Sequence, residues 1–201
     1  SGKTPLNIAI EGKNIAAVRL LLQYGADLSS IHARNIADPD IRAIVNAKEW
    51  ANGLRYFIRN GDVDAIKGML YRFAPKKDRL LLVNDKDENG KTPLNIAIEG
   101  KNIAAVRLLL QYGADLKFVN TKNIADHNIR AIIEAKEWAT TLRNFIKNKE
   151  DLTQLEIESI YSPDVLNDLD ENGDTLLQTA IKLNNQPAID ILKRYEAKNK
   201  H

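Results

Sequence analysis

Three histidines are the residues in this sequence best suited to acid–base catalysis or metal binding near neutral pH. They are His32, His127 and His201, and no two of them have the spacing that places metal ligands on one helix face. The sequence contains no cysteine, which removes thiolate ligands, disulfides and cysteine nucleophiles together. We therefore expect the histidines to lie in surface loops, and the sequence predicts no metal site.

Two short motifs resemble ligand-binding loops, and each lacks a required residue. The segment at 85–90, DKDENG, begins like a calcium loop, but its twelfth position is Ile96 instead of a bidentate glutamate. The tripeptide at 90–92, GKT, matches the end of a phosphate-binding loop, but Asp85 stands where the first glycine is required. Neither motif predicts a ligand.

Paired carboxylates are the other feature that could support acid–base chemistry. The pairs Asp38/Asp40 and Glu156/Glu158 both lie in polar segments that are typical of solvated surface. We therefore predict that the chain is not an enzyme, that it has no catalytic residues and that it binds no cofactor.

The composition narrows the class of partner. Hydrophobic residues make up 44% of the sequence, which is enough for one or two cores. The formal net charge is only +2, so charge gives no general attraction to nucleic acid or anionic lipid. No apolar run approaches the ~18 residues of a membrane span, and no secretory signal opens the chain. The sequence predicts a soluble, cytoplasmic protein that binds neither nucleic acid nor membrane.

Internal duplication organises the sequence and sets the elements that must position any site. Residues 2–28, GKTPLNIAIEGKNIAAVRLLLQYGADL, recur without change at residues 90–116. The similarity continues, since NIADPDIRAIVNAKEWANGLRYFIRN from Asn35 matches NIADHNIRAIIEAKEWATTLRNFIKN from Asn123. A third copy begins with DENGDTLLQTAI at Asp170. The chain is therefore built from tandem copies of one structural unit.

Each repeated segment contains the signals of two short helices. Thr92-Pro93 is typical of a helix start, because proline lacks only an N–H that would be unpaired there and threonine can cap its neighbours. A short apolar helix follows and ends near Gly100. The apolar face of the second helix is formed by Ile103, Val106, Leu108, Leu109 and Leu110. Gly113 then stands where a left-handed backbone conformation ends a helix.

This pattern resembles the ankyrin repeat, a unit of about 33 residues with a β-turn, two antiparallel helices and a T-P-L-H-x-A signature. The signature reads TPLNIA at residues 4–9 and 92–97, and TLLQTA at residues 175–180. Asparagine replaces the usual histidine, which puts in doubt the side-chain hydrogen bond between neighbouring turns. The resemblance implies an all-α solenoid of stacked helix–turn–helix units with short β-turn fingers, stabilised by contacts between neighbours.

Two stretches resemble truncated repeats. They begin at Asn35 and Asn123, and each leads into a helix that either stops or continues through Trp50 or Trp138. The sequence leaves both alternatives open. We expect the two tryptophans to fill space where a truncated repeat meets the next one, in preference to forming a ligand platform.

An inserted repeat follows the first truncated one. Residues 54–66 resemble a helix–turn–helix, and residues 74–82 are additional. The counterpart insertion near Ser162 is shorter, so the repeat offset falls from 88 residues to 83. The longer insertion is either a binding loop or a packed excursion with a solvated tip.

We expect one domain, residues 1–201, made of a first duplicated block at 1–89, a second at 90–172 and a C-terminal repeat or cap at 173–201. The first unit lacks the aspartate that precedes the other copies of its turn, which predicts that the chain belongs to a longer protein. The polar end from Lys193 resembles a C-terminal cap.

The resemblance implies protein recognition, because ankyrin proteins bind other proteins through finger tips and first helices. The matching partner-binding residues in this sequence are Glu88, Asn89, Lys91, Glu99, Tyr112, Glu171, Asn172, Asp174 and Lys182. Glu11 and Tyr24 occupy the same positions in the first copy. We therefore predict a monomer that binds another protein through shape and a few charged or aromatic anchors.

Two other functions remain compatible with the sequence. The chain could be the targeting region of a larger enzyme or secreted effector, acting in a host cytosol, since its composition and recent duplication resemble ankyrin effectors of legionellae and rickettsiae. Alternatively, identical repeats could stack between chains and give a structural role through self-association.

Overall fold

The computed structural model describes residues 2–72, 76–155, 161–170 and 172–199. Within these ranges the chain is all-α, with eleven α-helices, short 3₁₀ turns and no strand, as the sequence predicted. The chain divides into two compact units, Ser1–Val119 and Asn120–His201, and each contains a hydrophobic core.

The first unit contains three helix pairs and an additional helix. Its helices are α1 (Pro5–Glu11), α2 (Ile15–Gln23), α3 (Pro39–Asn60), α4 (Val63–Arg72), α5 (Lys76–Val83), α6 (Pro93–Glu99) and α7 (Ile103–Gln111). Single 3₁₀ turns lie at Ala33–Asn35 and Leu116–Phe118. The pairs are α1–α2, α3–α4 and α6–α7.

The second unit repeats the long helix and ends in a helix pair. Its helices are α8 (His127–Asn148), α9 (Pro163–Leu166), α10 (Leu176–Lys182) and α11 (Gln186–Lys198). Its 3₁₀ turns lie at Thr121–Asn123 and Leu152–Leu155. Its core includes Tyr161 and Tyr195, whose rings stack with centroids 3.9 Å apart.

The threonine of the repeat signature caps each short first helix, and at α6 and α10 the cap is reciprocal. At α6, the Thr92 hydroxyl accepts a hydrogen bond from the Asn95 N–H at 3.3 Å, and the Asn95 side chain accepts one from the Thr92 N–H at 2.9 Å. Thr175 and Gln178 form the same pair at α10 without a proline. Each pair satisfies two N–H groups that a helix start otherwise leaves open.

A residue in the left-handed conformation follows the first helix of each of the four helix pairs and also the long helix α8. The φ angle is +52° at Lys13, +71° at Gly61, +51° at Lys101, +55° at Lys149 and +51° at Asn184. These positions are equivalent in the repeat alignment. The long helices α3 and α8 therefore end where the first helix of a regular repeat ends.

The truncated repeats contain no break, which resolves the alternative that the sequence left open. Both α3 and α8 are continuous over 22 residues. Asp38 caps α3 by accepting hydrogen bonds from the N–H groups of Asp40 and Ile41 at 3.0 Å each. One helix therefore joins the second helix of a truncated repeat to the first helix of the next.

The two tryptophans meet the space-filling expectation only in part. Trp50 is 36% exposed and Trp138 is 40% exposed. The expectation placed them where a truncated repeat meets the next one. Because α3 and α8 run through this point without a break, the rings do not lie between two helix ends.

The described part of the insertion packs against other helices of the first unit. This favours the interpretation of a packed excursion over that of a binding loop. Leu82 and Val83 at the end of α5 are completely buried. A Cβ atom on Gly113 would stand only 2.5 Å from Leu80 Cδ2, so α5 lies directly against the turn after α7. Asn84 donates to the Gly113 carbonyl at 3.1 Å and accepts from the Asp115 N–H at 2.8 Å. Residues 74 and 75 lie outside the described residues.

The identical segments 2–28 and 90–116 have different surroundings in the first unit. Ile96 on α6 is 7% exposed, whereas its counterpart Ile8 on α1 is 59% exposed. The α3–α4 pair covers α6–α7, and Asn102 donates to the carbonyl of Ile58 at the end of α3 at 3.1 Å. Neighbouring helices, and not the segment itself, therefore decide which side chains form core.

Candidate partner-binding surface

The fingers are turns built around one aspartate each. In the first unit, Asp87 Oδ1 accepts hydrogen bonds from the N–H groups of Asn89 and Lys91, both at 2.9 Å. Gly90, with φ +74°, allows the chain to reverse. These bonds fix the backbone of the turn and leave the side chains of Glu88, Asn89 and Lys91 exposed.

The finger of the second unit has the same construction. Asp170 Oδ1 accepts from the N–H groups of Asn172 at 2.8 Å and Asp174 at 3.0 Å. Burial raises the pKa of Asp170, but these backbone hydrogen bonds and the positive charges of Arg143 and Lys147 outweigh it. The pKa of Asp170 therefore lies below its ordinary value, and the carboxylate that holds the turn stays ionised at neutral pH.

Asn95 preserves the tie between neighbouring turns that its substitution for histidine put in doubt. While its oxygen caps α6, its Nδ2 donates to the carbonyl of Phe118 in the following turn at 3.0 Å. Arg55 occupies the equivalent position in α3 and donates to the carbonyl of Asp85 at 2.8 Å. An amide and a guanidinium thus perform the same structural task in successive repeats.

A buried cluster of charges holds the base of the first unit's finger. Lys48 and Arg55 both bind the Asp85 carboxylate, Lys48 Nζ at 3.2 Å from Oδ2. Lys48 also donates to the carbonyl of Lys86 at 2.7 Å. Because the cluster fixes both side chain and backbone at the finger's base, it sets the position of the residues beyond it.

The second unit repeats this cluster with Asp168. Lys136 Nζ lies 3.0 Å from both carboxylate oxygens, and Arg143 binds the same carboxylate. Arg143 also donates to the carbonyl of Asp174 at 3.2 Å, inside the finger. Each long helix therefore positions the finger that follows it through one lysine and one arginine.

Ion pairs at the surface, in which Asp174 is the one half-buried member, join each finger to the end of its first helix. Lys91 Nζ lies 2.8 Å from Glu99 Oε2, and Lys3 pairs with Glu11 in the same way. In the second unit, the finger supplies the acid, Asp174, and α10 supplies the base, Lys182. The pair is thus present in both units with its polarity reversed in the second.

The sequence matches two family models. One, described as ankyrin repeats in three copies, covers residues 33–120, and the other, described as ankyrin repeat, covers residues 1–36. Together they extend over residues 1–120 of 201, more than half of the chain. The chain belongs to the ankyrin-repeat family. Ankyrin repeats generally serve as protein–protein interaction modules, and the family typically has no catalytic activity of its own.

Relatives of this ankyrin chain come from an animal, a bacterium and a virus. It is 32% identical over 94 residues to the human ankyrin repeat and fibronectin type-III domain-containing protein 1, covering 46% of this chain and 8% of that protein. It is 30% identical over 122 residues to an ankyrin repeat protein of Rickettsia felis, covering 56% and 30%. It is 26% identical over 165 residues to an ankyrin repeat protein of fowlpox virus, covering 80% and 43%. The chain spans less than half the length of each.

The structure brings some of the predicted ankyrin binding residues together and separates others. Lys91 pairs with Glu99 in the first unit, and Asp174 pairs with Lys182 in the second. The other finger residues Glu88, Asn89 and Asn172 are exposed, whereas Glu171 lies outside the described residues. Tyr112 is half-buried beside the insertion, with the Arg79 guanidinium 5.1 Å from its ring centroid.

Sequence reasoning missed the buried charge clusters. Their signal is present, since Lys-Glu-Trp-Ala is followed by Leu-Arg in both long helices and an aspartate precedes each finger. The spacing of seven residues between Lys48 and Arg55 places both on one helix face. Their contacts hold the base of each finger in position.

The described part of the ankyrin chain contains no cluster of histidine and carboxylate side chains that could hold a metal ion. Among its described helices, none has the length and apolar character needed to cross a membrane.

Proposed function

We propose that the chain binds another protein in the cytoplasm through the exposed ion pairs that join its fingers to its first helices. The Lys91–Glu99 pair carries this proposal, because both side chains are accessible, 46% and 56% exposed, and the Asp87 carboxylate holds the Lys91 backbone in the turn. An exposed pair stabilises a fold by only about 0–1 kcal/mol. Either residue can therefore exchange its intramolecular partner for a charge on a bound protein.

A groove beside this pair supports the proposal. It measures about 580 Å³, and Ile58 and Ile96 lie in its floor while Arg59 and Glu99 lie at its edge. Arg59 is exposed at the end of α3. An apolar floor next to opposite charges suits a partner's side chain that combines apolar contact with a polar end.

Polarity reversal gives a direct test. The double variant Lys91→Glu, Glu99→Lys keeps the ion pair but inverts its orientation. We expect its melting temperature to equal that of the wild type. In a pull-down from a lysate, we expect it not to retain proteins that the wild-type chain retains. The control variant Lys67→Glu, an exposed residue on α4, should retain them. Equal retention by the swapped chain would exclude this surface.

The alanine variants Lys91→Ala and Tyr112→Ala distinguish binding through the finger from binding near the insertion. Because Lys91 lies on the proposed surface and Tyr112 stacks with Arg79, only Lys91→Ala is expected to weaken binding strongly.

We also propose that the chain is a monomer. Light scattering across concentration tests it, and growth of mass with concentration would favour self-association instead.

A second candidate is the targeting region of a larger bacterial effector. The similarity to an ankyrin repeat protein of Rickettsia felis, of which this chain spans 30%, supports it. The test is to read the complete reading frame and to fuse it to a translocation reporter. A reporter that stays in the bacterium would exclude this candidate.

A further inference from the structure

A second cleft lies in the first unit, away from the ion pairs of the fingers. It measures about 330 Å³ and lies between α2, α3, α5 and the turn after α7. Its apolar lining is formed by Leu22, Ile44, Ala47, Leu80, Leu81 and Phe118. None of the residues assigned to the proposed surface lines it. Its size is at the lower end of ligand pockets, ~300–1,000 Å³, and suits one or two side chains.

The charged lining of this cleft is unbalanced. Four basic residues and two acidic ones line it, and two of these bases bind the two acids: Lys48 binds Asp85, and Lys117 binds Asp115. Arg19 and Lys86 remain, and neither has a carboxylate partner in the part of the chain that the structure describes. Two positive charges are therefore available to a ligand.

Lys86 connects the charged rim to the apolar floor. Its Nζ lies 4.3 Å from the ring centroid of Phe118, and Lys117 Nζ lies 4.8 Å from the same centroid. Cation–π attraction holds both ammonium groups against the ring. A ligand in the cleft therefore meets positive charge where the Phe118 ring forms part of its apolar lining.

The insertion forms one wall of the cleft. Leu80 and Leu81 belong to α5, and among the described residues its counterpart is the shorter helix α9. Leu80 is held against Gly113, and Leu81 packs on the core of the first unit. The wall is thus packed against its neighbours in the first unit.

We propose that this cleft binds an acidic peptide segment of a partner protein, with one large apolar side chain on the floor and neighbouring carboxylates at Arg19 and Lys86. The apolar floor supplies affinity by burial, and the two unpaired cations select acidic over basic segments. This contact is independent of the Lys91–Glu99 surface.

Fluorescence anisotropy with the full chain tests the proposal. The probes are three labelled ten-residue peptides: a phenylalanine flanked by glutamates, the same phenylalanine flanked by lysines, and an alanine flanked by glutamates. We expect saturable binding of the first peptide only. No saturable binding of the first peptide, or equal binding of the lysine peptide, would overturn the proposal.

Charge reversal locates the contact. The double variant Arg19→Glu, Lys86→Glu is expected to weaken binding of the first peptide at least tenfold. If this variant has a lowered melting temperature, the double variant Arg19→Gln, Lys86→Gln replaces it. The matched control is Lys67→Glu with Arg107→Glu, because Arg107 is the counterpart of Arg19 in an identical helix. An equal loss in the control would show general electrostatic attraction and overturn the assignment.

Amide chemical shifts distinguish this cleft from the proposed surface. We expect changes around Leu22, Ala47 and Leu81 when the first peptide is added. Chemical-shift changes confined to Lys91 and Glu99 would overturn the assignment of the peptide site to the cleft, but they would not contradict the proposed function. Displacement of the peptide by dodecanoate, with tighter binding of dodecanoate, would identify a site for small amphiphiles instead.

Discussion

Arg55 and Asp85 are joined twice, once through the guanidinium and the carboxylate and once through a 2.8 Å hydrogen bond to the Asp85 carbonyl. The two residues are 30 positions apart, and Arg55 is only 2% exposed. This double contact links the last third of a 22-residue helix to the base of a finger.

Asp85→Asn is expected to lower the free energy of unfolding by about 3–5 kcal/mol, because it leaves Lys48 and Arg55 buried without a negative charge. Urea denaturation measures the loss. The matched change in the second unit is Asp168→Asn, with an effect of the same order. The control is Glu99→Gln, whose exposed pair contributes at most about 1 kcal/mol. Equal effects of Asp85→Asn and Glu99→Gln would contradict the role of the cluster.

Identical segments provide a second test. Ile96→Ala removes a side chain that is 7% exposed and is expected to cost about 2–5 kcal/mol. Ile8→Ala changes the same residue in the same local sequence, but at 59% exposure the cost should stay under about 1 kcal/mol. Thermal and urea unfolding of both variants measure the difference. Similar costs would show that α1 is covered in solution.

The fold was predictable because its signals are local. Thr92, Pro93 and Gly113 act on their immediate neighbours, so the helix pairs and their caps follow from a few consecutive residues. The continuity of α3 and α8 was not decided. The Lys-Glu-Trp-Ala stretch contains neither glycine nor proline, but Asn52-Gly53 and Thr140-Thr141 follow it and also suit a helix end and a new start.

The candidate site was predictable only in part. Fingers and first-helix ends follow from the repeat, and Lys91 and Glu99 were assigned from it. The partners of Asp85 lie 30 and 37 residues away, and a lone aspartate among other charges resembles solvated surface in the sequence. The exposure of Ile8 was also unpredictable, because an identical segment is buried elsewhere.

The left-handed turns predict a stabilising substitution. Lys101 has a φ of +51°, and Gly61 occupies the equivalent turn with φ +71°. A side chain in this conformation costs about 1–2 kcal/mol. Because glycine also gains entropy in the unfolded chain, we expect Lys101→Gly to raise the free energy of unfolding by about 0.5–1 kcal/mol. Gly61→Ala should lower the free energy of unfolding. If the melting temperature were unchanged in both variants, a side chain at this positive φ would not be strained.

Acid is expected to weaken the finger of the second unit. The folded pKa of Asp170 is lowered, so the unfolded chain binds its proton more readily than the folded one. The stability that this carboxylate contributes is complete above the unfolded value near ~3.9 and is lost as pH falls through the lower folded pKa.

Asp170→Asn isolates this contribution. The variant should be less stable than the wild type at pH 7 and should lose less stability between neutral and acid pH. Carboxyl NMR titration of the wild type measures the pKa directly. A midpoint at or above the ordinary aspartate value would contradict the role of the Asn172 and Asp174 N–H groups.

The duplication of residues 2–28 at 90–116 also bears on how the chain reaches its native state. Both copies carry the same side chains for docking on the face that α3–α4 presents, yet only α6–α7 occupies it. Side-chain chemistry cannot distinguish the two during folding, so the order in which the segments are connected must select the correct one. The protein therefore contains its own competitor for that docking face.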